Sequence, residues 1–294
     1  MRASARIRVF GCIAILAFSQ TFALAQGAMV GYTATDRDDP GGAVGNTVYR
    51  IDLTNPGATV ALGSTNVPQE LEGFFSIDGP TNSRLFGVAE NPDATSTGDP
   101  SVLVDLTNAA CNPNGLGNLI GETNILFGTE AGSAWDHLSG TVYSIASDDL
   151  NKAAGVKLYS IDPSTGGAME ISTTPNMYAD GLAVGGNGEL YATDARLDDS
   201  LYRYNFDIGQ FELVGAFGVD LNEDTGLANY RGTDGTGTNL YMITEGDGPN
   251  PGRLWSVSTG GSITLIGDIR FADGSEVPED LEGFDIPWRP LACN

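Results

Sequence analysis

Histidine, cysteine and basic residues are scarce in this chain of 294 residues. It has one histidine, three cysteines, and 14 lysines and arginines against 38 acidic residues, for a formal net charge of −24. Such an excess of negative charge repels phosphate backbones and anionic lipid surfaces, so neither nucleic acid nor an anionic membrane is expected as a partner. His137 is the sole histidine, so neither a zinc site with several histidine ligands nor a Ser-His-Asp triad is expected.

Long apolar runs are missing too. Residues 1–25 contain three arginines, then an apolar run at Val9–Phe18 and the small residues Ala23 and Ala25. This is the layout of a secretory signal peptide, and the run is shorter than the roughly 20 residues that a membrane helix needs. We therefore predict a signal peptide over 1–25 and a secreted or periplasmic domain over 26–294, with no membrane insertion.

A repeat of roughly fifty residues organises the rest of the chain. Five segments share a strand pattern that ends in an acidic residue. Each shared segment is preceded by a strand pattern centred on a glycine. It is followed by another strand pattern, a turn and a short strand. No helical periodicity interrupts this order. The aromatic residues of the shared segment are spaced by 54, 57, 48 and 50 residues, at Tyr32, Phe86, Tyr143, Tyr191 and Tyr241.

Four strand patterns per repeat, copied five times, predict an all-β fold. Four-stranded antiparallel sheets arranged around an axis are the blades of a β-propeller, here a five-bladed one. The glycine-centred strand suits the crowded axis, where backbones approach closely. The chain starts with the second strand type at Met29–Asp36 and ends with the first type at Leu281–Ile286. We therefore predict that these two segments pair and close the ring.

The cysteines that follow the signal peptide predict one disulfide. Cys111 lies in an unusually long connection over 105–118, and Cys293 lies on the tail after the closing strand. Both positions are expected on one face of the propeller, and an oxidising compartment permits an even number of cysteines to pair. We predict a Cys111–Cys293 bridge that holds the closing strand.

Acidic residues concentrate on the opposite face, where the inner strands begin and the second strands end. Their oxygen atoms are hard ligands, which suit Ca²⁺ better than a transition metal. The alternative interpretation is a solvated rim that keeps an exported protein soluble. The predicted calcium ligands are Glu72, Asp180 and Glu282, each directly before an inner-strand glycine, and Asp36, Glu90, Asp194 and Glu245 at the ends of the second strands.

The hairpin at Leu158–Gly166 and the segment Asp180–Asp194 resemble the blades of secreted bacterial propellers of the strictosidine-synthase-like, NHL-like and phytase-like kinds. The segment Asp280–Gly283, echoed at Glu70–Gly73, is similar to a turn that contributes calcium-binding carboxylates in phytase-like propellers. The resemblance implies a calcium role for Glu282 and Glu72. This chain departs from those relatives, which usually have six blades and, in the phytases, carry lysine and arginine for phosphate.

Two classes of function are compatible with these features. The first is a binding module with Ca²⁺ at its acidic mouth, whose ligand is a glycan, a peptide or another exported protein. The second is a Ca²⁺-dependent hydrolase of lactones or esters, less readily of phosphoesters, in which the ion polarises a carbonyl and a carboxylate is the general base. An enzyme needs polar inner-strand residues, for which Asn229 and Asp285 are the candidates. The lack of a dedicated nucleophile favours the binding module.

Overall fold

The repeated strand patterns form antiparallel sheets in the computed structural model of the chain. This structure describes residues 29–35, 46–67, 70–89, 101–125, 130–147, 153–195, 198–221, 224–246, 251–277 and 281–293. Across these ranges, twenty strands form five sheets of four strands each. The predicted all-β, five-bladed propeller is confirmed. The expected signal peptide lies outside the described residues.

Each blade uses its strands in the same order from the axis outward. The inner strands are β4 (Leu71–Asp78), β8 (Glu130–Asp136), β12 (Gly181–Val184), β16 (Thr225–Tyr230) and β20 (Leu281–Asp285). The second strands are β1 (Val30–Thr35), β5 (Ser83–Ala89), β9 (Thr141–Ser147), β13 (Leu190–Asp194) and β17 (Asn239–Thr244).

The third and fourth strands of each blade fill its two outer positions. The third strands are β2 (Thr47–Asp52), β6 (Val102–Asp105), β10 (Val156–Ile161), β14 (Ser200–Asn205) and β18 (Arg253–Val257). The outermost strands are β3 (Val60–Ser64), β7 (Asn118–Glu122), β11 (Ala168–Thr174), β15 (Gln210–Ala216) and β19 (Ile263–Asp268). We number the blades 1 to 5 in chain order, so that blade 1 holds β1 to β3 and blade 5 holds β16 to β19.

The two ends of the chain complete blade 1. Strand β20 pairs antiparallel with β1, in the register Tyr32↔Asp285 and Thr35↔Leu281. The hydroxyl of Thr33 also donates a hydrogen bond to the carbonyl of Glu282 at 2.8 Å. The predicted closure is therefore confirmed, and it removes two strand edges that would otherwise be open to pairing with another chain.

Glycines let the inner strands approach one another around the axis. A Cβ atom on Gly132 would lie 2.6 Å from the backbone nitrogen of Leu182, and one on Gly226 would lie 2.7 Å from the Cβ of Phe284. Separations this short are not available to any larger residue. The glycine pattern in the sequence thus marks the contact line between neighbouring blades.

Aromatic and aliphatic side chains fill the spaces between neighbouring blades. Phe75 stacks on Phe86 with ring centroids 5.1 Å apart, within an apolar cluster that joins blades 2 and 3 and includes Tyr159. Tyr191 and Trp255 are buried in the corresponding cluster between blades 4 and 5. These clusters supply most of the buried apolar area and therefore most of the hydrophobic stabilisation.

A short helix departs from the strand-only expectation. The segment α1 (Thr107–Cys111) lies in the long connection of blade 2, where the side chain of Asp105 accepts hydrogen bonds from the backbone nitrogen and hydroxyl of Thr107. A single turn is too short to give helical periodicity. A 3₁₀ turn also occurs at Pro56–Ala58. The described residues include no helix that is long and apolar enough to cross a membrane.

The helix presents Cys111 to the C-terminal tail. Cys111 and Cys293 form a disulfide with Cα atoms 5.3 Å apart, which confirms the predicted bridge. The tail reaches blade 2 because the backbone of Ser83 donates to Pro290 at 2.9 Å and accepts from Ala292 at 2.8 Å. The chain end is thus fastened to blade 2 as well as to blade 1.

Gly226→Ala should reduce the free energy of unfolding by about 2–3 kcal/mol, because the added methyl group overlaps the backbone of β20. Chemical denaturation measures the change. Gly57→Ala is the control, since its Cβ would meet nothing closer than 3.6 Å. Equal stability of the two variants would show that the inner strands do not pack as closely as described.

Cys293→Ser should lower the free energy of unfolding by about 2–5 kcal/mol, because the bridge restricts the unfolded chain across a separation of 182 residues. Cys111→Ser should cause the same loss, and the double variant should lose no more. Denaturation with and without a reductant measures the effect. An unchanged midpoint for the reduced wild type would contradict the expected role of the bridge.

Candidate functional site at the two ends of the propeller axis

The predicted calcium ligands that the structure describes lie around the end of the axis where the inner strands begin. Glu72 and Asp180 are each 3% exposed, Glu282 is 7% exposed and Asp194 is fully buried. Glu245 is half-buried. Asp36 and Glu90 lie outside the described residues. We call this end of the axis the acidic mouth, defined by Glu72, Asp180, Asp194, Asp224, Glu245 and Glu282.

Two of these carboxylates connect neighbouring blades. Oε2 of Glu72 in blade 2 accepts a hydrogen bond at 2.8 Å from the backbone nitrogen of Ala131 in blade 3. Oδ2 of Asp180 in blade 4 accepts one at 3.1 Å from the backbone nitrogen of Thr225 in blade 5. Ala131 and Thr225 occupy the repeat position that holds the acid in blades 2 and 4. The acid of one blade therefore bonds an amide at the start of the next inner strand.

Asp180 makes further hydrogen bonds. Its Oδ1 atom accepts hydrogen bonds from the amide of Gly181 at 2.8 Å and from the hydroxyls of Thr225 at 2.7 Å and Thr193 at 3.2 Å. Burial, assisted by the negative charges of Asp224 and Asp194, nevertheless raises the pKa of Asp180 well above its ordinary value. Negative charge is therefore crowded on this side of the mouth.

Three other carboxylates converge at the seam between blades 5 and 1. Asp224 directly precedes β16, Glu245 directly follows β17, and Glu282 belongs to β20. Each offers an oxygen atom, and these atoms all lie within 4.8 Å of one another. At an effective dielectric constant of about 20, two charges at that distance repel by roughly 3 kcal/mol. A divalent cation or bound protons would relieve this repulsion.

Sequence reasoning predicted Glu245 and Glu282 as ligands and did not assign Asp224. Its position two residues before Gly226 is occupied by other residue types in most repeats, so the repeat did not single it out. The backbone does explain its placement, because the carbonyl of Asp224 accepts a hydrogen bond from the amide of Glu245 at 3.2 Å. The structure thus groups Asp224, Glu245 and Glu282, whereas Glu72 and Asp180 bond to the next blade.

The space between the inner strands beneath the mouth is filled. Phe74, Leu182, Leu227 and Phe284 meet there between the inner strands, and the residues described leave no space for a water molecule among them. The acidic mouth therefore has no open passage through these residues to the other end of the axis.

An arginine occupies the opposite end of the axis. Arg231, which follows β16 in blade 5, is 7% exposed and forms an ion pair with Asp78 at the end of β4 in blade 2. Its guanidinium carbon lies 5.6 Å from the ring centre of Trp135 and 5.3 Å from that of Trp288. Because blades 2 and 5 are not neighbours, this side chain spans the ring. Sequence analysis missed it, since a lone arginine in a loop gives no periodic signal.

Asp285 lies beside this arginine, in a cavity of about 20 Å³ that Ser76, Asn229 and Arg231 also line. That volume holds about one water molecule. Burial raises the pKa of Asp285 to about 6, helped by the charge of Asp78 and opposed by a hydrogen bond from Ser76 and by Arg231. Its Oδ2 atom is buried and has no hydrogen-bond partner among the described residues. The site is thus a water-sized polar pocket with a titratable wall.

Asn229, the other candidate for an inner-strand catalytic residue, is fully bonded. Its side-chain amide donates to the carbonyls of Val184 at 3.0 Å and Gly237 at 3.2 Å. Its Oδ1 atom accepts from the backbone of Asn239 at 2.8 Å. These bonds connect blades 4 and 5, so the side chain has a structural role.

Comparison with known proteins supports the fold alone. No family model matches the chain, and no curated protein matches it. A putative exo-β-1,3-galactanase from Bifidobacterium bifidum is similar in structure, with a TM-score of 0.52 and 12% identity over 83% of this chain and 89% of that protein. At this identity the likeness shows a shared fold and assigns no activity.

Two further structures are less similar. The PQQ-bound aldose sugar dehydrogenase of Streptomyces coelicolor has a TM-score of 0.46 and 16% identity, with 74% of each chain covered. A Bacteroides thetaiotaomicron protein of unknown function has a TM-score of 0.43 and 12% identity over 81% of this chain. This chain spans 64% of the length of that protein.

Asp285→Asn should raise the free energy of unfolding at pH 7–8 by about 2–3 kcal/mol and leave it unchanged near pH 4. The folded-state pKa of about 6 exceeds the ordinary 3.8, so folding favours the protonated acid and stability falls as the pH rises between these values. Denaturation of variant and wild type across pH 4–8 isolates this residue from other titrating groups.

Asp273→Asn is the control, because the pKa of Asp273 is shifted in the opposite direction. Hydrogen bonds from the hydroxyl and amide of Ser275 lower the pKa of Asp273, so its variant should be slightly less stable than the wild type above pH 4. Parallel stability curves for Asp285→Asn and the wild type at every pH would refute the raised pKa of Asp285.

Proposed function

We propose that this protein is an exported binding module that holds Ca²⁺ on Asp224, Glu245 and Glu282 at its acidic mouth, and that it recognises a glycan, a peptide or another exported protein. The observation that carries the calcium proposal is the convergence of three carboxylate oxygens within 4.8 Å. They come from separate segments of blades 5 and 1, so folding brings them together despite their repulsion. The set consists of oxygen atoms, which suits Ca²⁺.

The position of the cluster indicates what the ion does. Glu282 belongs to the strand that closes the ring, and Asp224 and Glu245 belong to the neighbouring blade. A cation bound to all three connects blade 5 to the closing strand. It would replace carboxylate repulsion by attraction at the seam, with waters and backbone carbonyls completing the six to eight ligands that Ca²⁺ takes.

Two features support export. The first 25 residues have the layout of a signal peptide. The Cys111–Cys293 disulfide favours an oxidising compartment. Millimolar calcium is ordinary outside cells, and extracellular modules bind this ion with dissociation constants of about 10⁻⁴–10⁻³ M.

The hydrolase alternative gains no support from the geometry. It needs a mouth cation and a polar inner-strand residue in one cavity. Asp285 and Asn229 lie with Arg231 at the end of the axis opposite the acidic mouth, and the amide of Asn229 is committed to other bonds. A binding module needs neither of these groups.

Calcium should raise the melting temperature of the mature protein, in proportion to the logarithm of its free concentration above the dissociation constant. Each tenfold increase should add about 1.4 kcal/mol of stability. Thermal melts in chelator and in calcium, together with calorimetric titration, measure the response. An identical melting temperature in chelator and in millimolar calcium would refute the proposal.

Glu245→Gln provides the sharper test, because it removes one ligand and one repelling charge together. In chelator the variant should melt above the wild type, since the repulsion at the seam is reduced. In calcium the order should reverse, since the variant binds the ion more weakly. Asp162→Asn, at an exposed position in the β10–β11 turn on the opposite face, should keep the full wild-type response.

A further inference from the structure

A pocket on the face opposite the acidic mouth is not used by the calcium proposal. It lies on blade 4, between the turn that joins β12 to β13 and the turn that joins β14 to β15. Its volume is about 360 Å³, within the range of about 300–1,000 Å³ that is usual for small-molecule sites. We call it the blade 4 pocket, lined by Asn187, Gly188, Glu189, Arg203, Tyr204, Asn205, Phe206 and Asp207.

An exposed aromatic ring forms one wall of this pocket. Phe206 is 54% exposed. Its orientation is set by Tyr204, whose ring meets it edge to face at 4.8 Å and 82°, and by Tyr143 of blade 3 at 6.2 Å. Leu138 of blade 3 is 64% exposed and borders the pocket at Gly188. A fixed, flat apolar surface of this kind is characteristic of a binding site.

The turn between β14 and β15 does not need its apolar residues Phe206 and Ile208 for its own structure. In blade 4 the amide of Gly209 donates to the carbonyl of Asn205 at 2.9 Å, and the amide of Asp207 donates to the Asn205 side chain at 3.0 Å. Blade 3 makes the same two bonds over Asp162–Gly166, at 2.8 and 2.9 Å. In that turn Pro163 and Thr165 occupy the positions of Phe206 and Ile208. The same fold is therefore built without exposed apolar side chains.

Polar groups around the ring are held in place before any ligand arrives. The carboxylate of Glu189 accepts hydrogen bonds from Tyr191 at 2.7 Å, Asn187 at 2.8 Å and Arg203 at 3.0 Å. These bonds, that from Tyr191 foremost, lower the pKa of Glu189, so it remains an ionised acceptor. The side chains of Glu189 and Arg203 are still 37% and 49% exposed, which leaves both able to contact a ligand. Preorganised groups reduce the entropy lost on binding.

This combination fits a sugar ring. The C–H face of a pyranose is flat and apolar and packs on an aromatic ring, while each hydroxyl group both donates and accepts hydrogen bonds. The pocket offers amide, carboxylate and guanidinium groups that supply both kinds of partner. Two acids, Glu189 and Asp207, against one arginine disfavour an acidic sugar in a chain of net charge −24.

A peptide fits less well. Extended peptides bind by adding a strand to an open sheet edge. The pocket contains turns and part of β14, and both edges of β14 are already paired, with β13 and β15. The main-chain hydrogen bonds that give peptides their affinity are therefore not available here.

We propose that the blade 4 pocket binds the terminal sugar of a neutral glycan, with Phe206 as the stacking platform and Glu189 and Arg203 as hydrogen-bonding groups. The proposal deepens the binding function proposed above, from which it takes only that the protein is a binding module. It assigns the ligand class and places the ligand on the face opposite the calcium site.

The test uses the mature protein on a glycan array that carries neutral oligosaccharides beside sialylated and sulfated ones. The methyl glycoside of the terminal sugar that binds is then examined by saturation-transfer NMR. Neutral glycans should bind, and Phe206→Ser should weaken binding at least tenfold with an unchanged melting temperature. Leu213→Ser, which removes an equally exposed apolar side chain from β15, is the matched control and should bind like the wild type.

Three results would overturn the proposal: no binding to any neutral glycan, preference for the acidic glycans, or wild-type affinity in Phe206→Ser. A peptide library is tested in the same way. If peptides bind at the blade 4 pocket and sugars do not, the pocket is assigned to peptides instead. Repeating the array in chelator separates the two proposals. If the protein binds sugar but its melting temperature does not respond to calcium, only the calcium proposal is refuted. If the melting temperature responds to calcium but no sugar binds, only the sugar proposal is refuted.

Discussion

The close approach of the inner strands at the axis is the constraint on which the rest of the structure depends. Contacts such as that of Gly226 with β20 bring the beginnings of the inner strands within side-chain reach of one another. Residues that precede those glycines are then forced together, whatever their charge. The fold therefore has to neutralise or bond the acidic groups that it places there, and it does so in two ways.

The first way is a hydrogen bond from the next blade, as between Glu72 and Ala131 or Asp180 and Thr225. Here the carboxylate satisfies an amide at the start of an inner strand, so acid and backbone stabilise one another. The second way is the one that we propose for the seam of blades 5 and 1, where a cation would offset the repulsion among the carboxylate oxygens of Asp224, Glu245 and Glu282, which lie within 4.8 Å of one another. This asymmetry between blades is why we place the cation at the seam rather than evenly around the mouth.

Much of the fold could be predicted from the sequence, because the repeat encodes strands directly. The order of strand types revealed the ring closure through β1 and β20, and the two cysteines outside the predicted signal peptide indicated the Cys111–Cys293 bridge. The groupings within the acidic mouth could not be predicted in this way. They depend on the offset between neighbouring blades, which no local pattern records. The grouping of Asp224 with Glu245 and Glu282 was missed for this reason, and Arg231 was missed because a lone arginine in a loop gives no periodic signal.

The most direct test of the calcium account is a crystal structure of the mature protein grown with calcium or a lanthanide substitute, phased on the anomalous signal. The account predicts one peak at the seam, with oxygens of Asp224, Glu245 and Glu282 about 2.3–2.6 Å from it. A structure with no peak between these carboxylates at millimolar calcium would contradict it.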